Sequence, residues 1–565
     1  MKKILCVLLS LLMAFSLTSC VHKDTIPLDR SGQFSLYGLP TAFHDPFAPQ
    51  PQAVTFGQIK DSTYEGIDEL KAALARMTRL CGEEDALEEL KQLYAFCYTE
   101  LCKLQTAETV ISIQYDISTN SNLRKQLSLE TSQWEAEATT LYEQTMQTVL
   151  ASPYAAEMSA YMGEDVAALF AAEISDFDRL AQLLAQEDQL MKKYSQRAAQ
   201  PGFSNEKKGM DLAEIYLELV ALRKEIAALY GYESVAEYYY RQVYARDYSP
   251  EEAAQFHANV KEYILPIYEQ LCSSFDGKTD TVVNREEIVP TLQTYLPRIS
   301  GEMAGMFDDM VEREMICFAD QSPNHMNGAY TTRLQQYAQP FIYNGIGVDD
   351  HRAITYTAHE FGHYCDASLN GLYGAKNPAW IFDLAEVFSS GLEMLLYGYY
   401  DEMFEGDTGD EKTAQLMRFL ELIILGCMYD EAQQRVFAYD GELTVSAVNR
   451  VFLRTAAEYH LTSMDGDYFW TSNQHNFRYP FYYLSYAVAY STSAELWMMA
   501  RTEGQQAAIQ AYLEMLSIGS FEYSYSSVVK TCGLKGFRSE KMLKQLAAQM
   551  QSELETLGTL PASTP

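Results

Sequence analysis

Thr357-Ala358-His359-Glu360-Phe361-Gly362-His363-Tyr364 carries a His-Glu-x-x-His pattern. On an α-helix, residues four apart stand one turn apart on the same face. His359 and His363 can then aim two imidazoles at one metal ion, with Glu360 beside them. Zinc in a catalytic site takes three protein ligands and leaves the fourth position to water, whose pKa falls to about 7. Glu360 is the candidate general base for that zinc-bound water. It would take a proton as the water attacks a peptide carbonyl and pass it to the leaving amine. The alternative is two ordinary histidines on an ordinary helix. The choice rests on whether the chain, which has 9 His in 565 residues, supplies a third ligand.

The metzincin pattern would place Gly at 366 and His at 369; these positions are Asp366 and Leu369, which excludes that class. A carboxylate from a second helix is the other solution. Asn370-Gly371 can end the first helix, since both residues tolerate a left-handed conformation. Pro378 then opens an apolar run with helical periodicity that continues to Leu396. Glu386 and Glu393 stand in its buried-looking part, where carboxylates are rare unless paired or on a metal. Glu386 is the expected third ligand. Glu393, seven residues on, is expected to hold a ligand histidine from behind; a solvated or ion-paired carboxylate is the alternative. Ser389, Ser390 and Gly391 are small enough to let the two helices cross closely.

The HEFGH stretch, followed by Glu386-Val387-Phe388-Ser389 and Glu393, resembles the M3 oligoendopeptidases, the group of thimet oligopeptidase and oligoendopeptidase F. Upstream, Gly328-Ala329-Tyr330-Thr331 and Gln339-Pro340-Phe341-Ile342-Tyr343-Asn344 share the resemblance, as does the His475 to Ala487 element downstream. It spans roughly residues 205–550. The resemblance implies a mostly α fold, a two-lobed helical shell around a deep channel, with a gluzincin-type core containing a small β-sheet. It implies a zinc-dependent endopeptidase for short oligopeptides, with one Zn2+ per chain and folded proteins excluded by size. A same-fold zinc exopeptidase (carboxypeptidase or dipeptidase) and a lipid-anchored peptide-binding protein without catalysis are the alternatives. The binder has no need of Glu360. The ligand types suit zinc, though cobalt or manganese can occupy such a site.

Two further elements follow from this resemblance. Residues Phe341, Ile342, Tyr343 and Asn344 read as a short strand just before the zinc helix, and are expected to be the edge that pairs with an extended substrate; an ordinary buried strand is the alternative. A His or Tyr donor near the transition-state oxyanion is worth about 2.7–4 kcal/mol by analogy with oxyanion-hole deletions. His475, Tyr482 and Tyr486 are expected there, in that order, with Tyr479 or Tyr483 as possible additions. The family usually has another Tyr where this chain has Leu484.

The chain begins as an export signal. Lys2-Lys3 precedes an apolar run from Ile4 to Leu17, too short to span a membrane. Leu17-Thr18-Ser19-Cys20 resembles a bacterial lipobox, so 1–19 reads as a signal peptide and Cys20 as a lipidated anchor on the outer face of the cell membrane. An uncleaved anchor or a plain signal peptide is the alternative. Residues 20–57 read as a tether, 58–204 as an entirely helical N-terminal lobe walling the channel, 205–557 as the catalytic region and 558–565 as a disordered tail. Acidic runs in the N-terminal lobe read as solvated faces. Ser249-Pro250-Glu251-Glu252 is a strong helix start, Asp349-Asp350 is placed to cap the zinc helix, and helix is expected to resume at Met210 after a break.

The net charge is −35, and −37 once Lys2 and Lys3 are removed. That argues against nucleic acid, which needs basic patches, and favours cationic peptides weakly at physiological salt. The eight cysteines beyond Cys6 and Cys20 match no zinc knuckle or disulfide framework. Cys365, on the zinc helix, reads as a packing residue.

Overall fold

The computed structural model describes residues 26, 28, 35–36, 43–170, 177–198, 205–319, 324–461, 464 and 466–561. The signal segment 1–19 and Cys20 lie outside the described residues. Among those described, no helix is long and apolar enough to cross a membrane.

The chain is mostly helical with one small sheet, as expected. Helix α1 (Ile67–Leu80) buries Leu70, Ala73, Leu74, Met77 and Leu80, an apolar stripe at three- and four-residue spacing. It packs with α2 (Leu87–Ile117) and α3 (Asn122–Leu150) around a core of Leu90, Tyr94, Leu101, Tyr142 and Met146. Helix α4 (Phe177–Ala198) pairs with α5 (Asn205–Leu229), which starts five residues before the expected Met210. Helix α6 (Pro250–Asn259) opens with the expected capping box between Ser249 and Glu252.

The sheet follows. Strands β1 (Ile316–Phe318), β2 (Ala329–Leu334) and β3 (Gln339–Asn344) lie in the order β1-β3-β2, with β1 parallel and β2 antiparallel to β3. This corrects the edge-strand expectation for Phe341, Ile342, Tyr343 and Asn344. They lie on the central strand, with neighbours on both sides and every residue buried. Even the polar Gln339 and Asn344 at its two ends are buried. The edge beside the zinc helix is β2.

Helix α7 (Arg352–Leu369) then carries the His-Glu-x-x-His pattern and α8 (Phe382–Tyr397) carries Glu386. Helices α9 (Gly409–Phe437), α10 (Val445–Glu458), α11 (Tyr483–Thr502), α12 (Gln505–Ile518) and α13 (Glu540–Thr556) surround them. Every residue of α8 is buried, which explains its near-continuous apolar sequence.

Two segments expected to be loose are packed. From Phe43 onward the tether grips the molecule: Phe47 lies edge-on to Tyr94 at 5.0 Å, Asp45 accepts the Tyr98 hydroxyl, and Phe56 meets Phe341 at 4.4 Å. Its Pro- and Gln-rich composition hides these aromatic anchors. At the other end Leu560 is 3% exposed, and only 562–565 lie outside the described residues. Cys365 is buried in the core.

Candidate metal centre

Helix α7 begins where Asp350 accepts the Arg352 N–H at 2.9 Å. Asp349 offers only its carbonyl, to the Val283 N–H, so the expected pair of capping carboxylates reduces to one. The helix stops at Leu369 as expected, but without a left-handed residue: Asn370 has φ −122°. The crossing of α7 and α8 rests on Gly362. A Cβ there would stand 2.3 Å from the Phe388 carbonyl oxygen and 2.6 Å from the Ser389 Cα. Of the three small residues on α8, only Ser389 serves this crossing. Ser390 meets the Ser493 hydroxyl at 2.8 Å, and Gly391 lies against the Tyr512 ring.

This close crossing brings His359, His363 and Glu386 together, with one donor atom of each within 4.8 Å of the others. The Nε2 atoms of His359 and His363 each stand 3.7 Å from Glu386 Oε2. That oxygen is buried and has no hydrogen-bond partner among the described residues. A buried carboxylate oxygen without a donor is costly, and here it faces two imidazole nitrogens. Two imidazoles and a carboxylate are the donor set of many catalytic zinc sites, so these residues fit the ion.

The surroundings orient the ligands. His359 Nδ1 donates to Glu393 Oε1 at 2.7 Å, which leaves Nε2 free for a metal. Glu393 Oε2 accepts from Gln415 at 3.0 Å and from Arg418. Burial works against the Glu393 charge, yet Arg418 and His359 hold it below the usual carboxylate range. Burial also works against protonating His359, but the Glu393 bond and charge outweigh it and raise its pKa. His363 is pushed well down by burial and by the neighbouring His359. Burial raises Glu386, against the pull of His359 and the Tyr482 hydroxyl, which donates to Oε1 at 2.5 Å.

Glu360 stands beside this set. Burial pushes it up to about 7, opposed by His359 and Thr331 and reinforced by the charges of Glu386 and Glu393. The Thr331 hydroxyl lies 2.9 Å from its Oε2. Thr331 belongs to β2, so the edge strand is tied directly to the candidate base.

A cavity of about 330 Å³ lies over the centre. Ala329 to Thr332 of β2 line one side, His475, Tyr479, Tyr482 and Tyr486 another, and Thr109, Ser112, Ile113 and Asp116 of α2 close it from the N-terminal region. His475 lies against the Tyr482 ring at 5.6 Å; burial, and then the Arg478 charge, lower its pKa to about 4. Tyr483 does not line this cavity and packs on Tyr429. Leu484 is fully buried in the core, so the departure from the family pattern falls outside the cavity.

The Phe341–Asn344 strand does not line the cavity; it braces it from behind. Asn344 donates to the Thr357 hydroxyl at 3.0 Å, and the Tyr343 hydroxyl to the Met326 carbonyl at 2.8 Å. Sequence reasoning missed Thr331 as a partner of Glu360, although it stands in a stretch that carries the resemblance. The β-branched and aromatic residues of Tyr330-Thr331-Thr332 are the available signal for a strand there. It also missed the contribution of α2, which no local pattern announces.

No protein-family model and no curated protein matches the sequence. The fold matches solved structures at low identity. PZ peptidase A, solved with an inhibitor, superposes with a TM-score of 0.69 at 18% identity, covering 89% of this chain and 99% of that one. A Bacillus anthracis str. Ames protein provisionally named oligoendopeptidase F gives 0.68 at 19%, covering 90% and 99%. An M32 carboxypeptidase from Deinococcus radiodurans R1 gives 0.54 at 12%, covering 86% and 100%. The fold thus resembles that of oligoendopeptidase F and related M3 and M32 metallopeptidases.

Proposed function

We propose that this protein is a zinc-dependent endopeptidase for short oligopeptides. The observation that carries the reading is the partnerless, buried Glu386 Oε2, 3.7 Å from both His359 and His363 nitrogens, with Glu360 alongside in an open cavity. A zinc ion held by His359, His363 and Glu386 supplies Lewis acidity and lowers the pKa of water.

The chain's own groups do the rest. Glu360, whose pKa burial brings near neutrality, takes the proton of the attacking water and delivers it to the leaving amine. Thr331 holds its carboxylate in place. The β2 edge offers backbone groups to an extended peptide, a sequence-tolerant mode of binding. Tyr482 spends its hydroxyl proton on Glu386 and so steadies a ligand. His475 Nδ1 lies 3.3 Å from Asn473 Oδ1; if it donates there, its other nitrogen is an acceptor. Tyr486, not engaged by Glu386, is therefore the donor we assign to the oxyanion.

End-blocked, internally quenched peptides of about ten residues test the endopeptidase reading against the exopeptidase one. Internal cleavage of the blocked peptide supports it. Cleavage confined to peptides with a free end would transfer the protein to the carboxypeptidase or dipeptidase class.

We also propose that the protein is exported and anchored through lipidated Cys20 to the outer face of the bacterial membrane, on the strength of Leu17-Thr18-Ser19-Cys20. Membrane fractionation of the wild type and Cys20→Ala tests this. Equal membrane retention of both would sink it.

A further inference from the structure

A second cavity of about 140 Å³ adjoins the catalytic one, and the two share Thr109, Thr331, Thr332 and Trp380. One side of this side cavity continues along β2 to Arg333. The far wall is built by α2 and α3, which contribute Gln105, Glu108 and Glu135. Glu108 and Glu135 are each 2% exposed. Two carboxylates are seldom buried together unless something cationic or donor-rich meets them.

Glu108 is provided for: the Ser112 and Ser132 hydroxyls donate to it at 2.9 and 2.8 Å. Glu135 is not. Thr139 donates to Oε1 at 3.0 Å, while Oε2 is buried without a hydrogen-bond partner among the described residues. Gln105 Oε1, on the same wall, is in the same condition. The two cations lining the cavity are engaged elsewhere. Lys376 Nζ stands 2.6 Å from Glu143. The Arg333 guanidinium lies over the Trp380 ring at 4.0 Å and donates through Nη1 to the Leu372 carbonyl; its Nε and Nη2 are without acceptors. No ion pair joins Arg333 to Glu108 or Glu135 among the described residues. The α2–α3 wall therefore keeps two buried acceptor oxygens, Glu135 Oε2 and Gln105 Oε1, that no donor among the described residues meets.

We propose that the side cavity is a specificity subsite for a basic side chain of the peptide, Lys or Arg, whose ammonium or guanidinium supplies the donors missing at Glu135 and Gln105. This rests on the peptidase reading and names the residue class it selects. The placement follows from β2. Thr331 touches Glu360, and Arg333 lies two residues further along a strand that rises about 3.3 Å per residue. A peptide extended along β2 thus delivers to the cavity the side chain of a residue about two from the scissile bond. Burial, and then the Glu108 charge, push Glu135 up to about 8, a shift that a cation entering the cavity would oppose. The net charge of −35 also draws cationic peptides toward the protein.

The test is a set of end-blocked quenched peptides, identical except for Lys, Arg, norleucine or Glu at each position within three of the scissile bond. The expected result is a kcat/KM at least about tenfold higher for Lys or Arg than for norleucine at one position. In Glu135→Gln, and in Gln105→Leu should the first variant fail to fold, that ratio falls toward one. Anisotropy with the same peptides on Glu360→Gln separates the two claims. Preferential binding of the basic peptide without any hydrolysis by the wild type would sustain the subsite and sink the peptidase. Absence of a basic preference at every position, or an unchanged ratio in both variants, would overturn the subsite. A preference for Glu would also overturn it, and would move specificity to Arg333.

Discussion

Glu386 and Glu135 each hold one buried oxygen without a donor, in cavities that share a wall. What stands opposite differs. Glu386 faces two imidazole nitrogens that can be neutral ligands, with a hydrogen-bonded carboxylate steadying one of them. Glu135 faces the cavity beside a second carboxylate and an amide oxygen. The first arrangement is geometrically complete and accepts a compact divalent ion. The second lacks imidazole ligands and has room for a flexible, multi-donor cation. The same physical deficit, an unsatisfied buried acceptor, thus signals a resident metal in one place and a passing substrate group in the other.

The largest expected effect breaks the symmetry between them outright. Glu386→Ala loses its zinc and all peptide hydrolysis, whereas Glu135→Ala keeps its zinc; metal analysis of the two purified variants decides this. Zinc loss from the Glu135 variant would erase the distinction. Next comes the oxyanion donor. Tyr486→Phe lowers kcat by about 10²–10³ with the zinc retained, while Glu135→Gln changes the ratio between substrates. Steady-state kinetics on one basic and one neutral peptide separates the two patterns.

A third prediction concerns the support behind the ligands. Glu393→Gln weakens zinc binding by about 10–100-fold through His359, and excess zinc restores its activity. Competition with a chromogenic chelator measures the affinity. The smallest effect is on stability. The folded-state pKa of Glu135 is raised to about 8 from its ordinary value of 4.5, so the folded protein holds an extra proton between those values. Its contribution to stability falls as pH rises from 4.5 through 8. Glu135→Gln should therefore gain in melting temperature over the wild type most at pH 8 and above, and least below 4.5. A pH-independent difference would show that Glu135 is not the strained carboxylate described.

The candidate metal cluster of His359, His363 and Glu386 was legible in the sequence because its spacing is local. His359, Glu360 and His363 share one turn, and Glu386 and Glu393 stood out as acids in an apolar helix. The helical class followed from periodicity. The edge of the sheet did not, because adjacency to the zinc helix does not tell which strand has a neighbour on each side. Gln339–Asn344 is central through its pairing with Ile316–Phe318, an association over more than twenty residues of chain. The packed segment from Phe43 was hidden by loop-like composition, because its anchors, Phe47, Phe56 and Asp45, are single residues with no periodicity. No local pattern marks Glu108 and Glu135 out. Only the packing of α2 on α3 and β2 reveals that they are buried.

The central claim is that Glu360 works on water beside a zinc ion held by His359, His363 and Glu386. Zinc content and hydrolysis of a blocked ten-residue peptide, measured together on the wild type and Glu360→Gln, test it most directly. About one zinc per chain in both proteins and cleavage by the wild type alone are expected. Equal cleavage by the two, or no zinc in either, would contradict it.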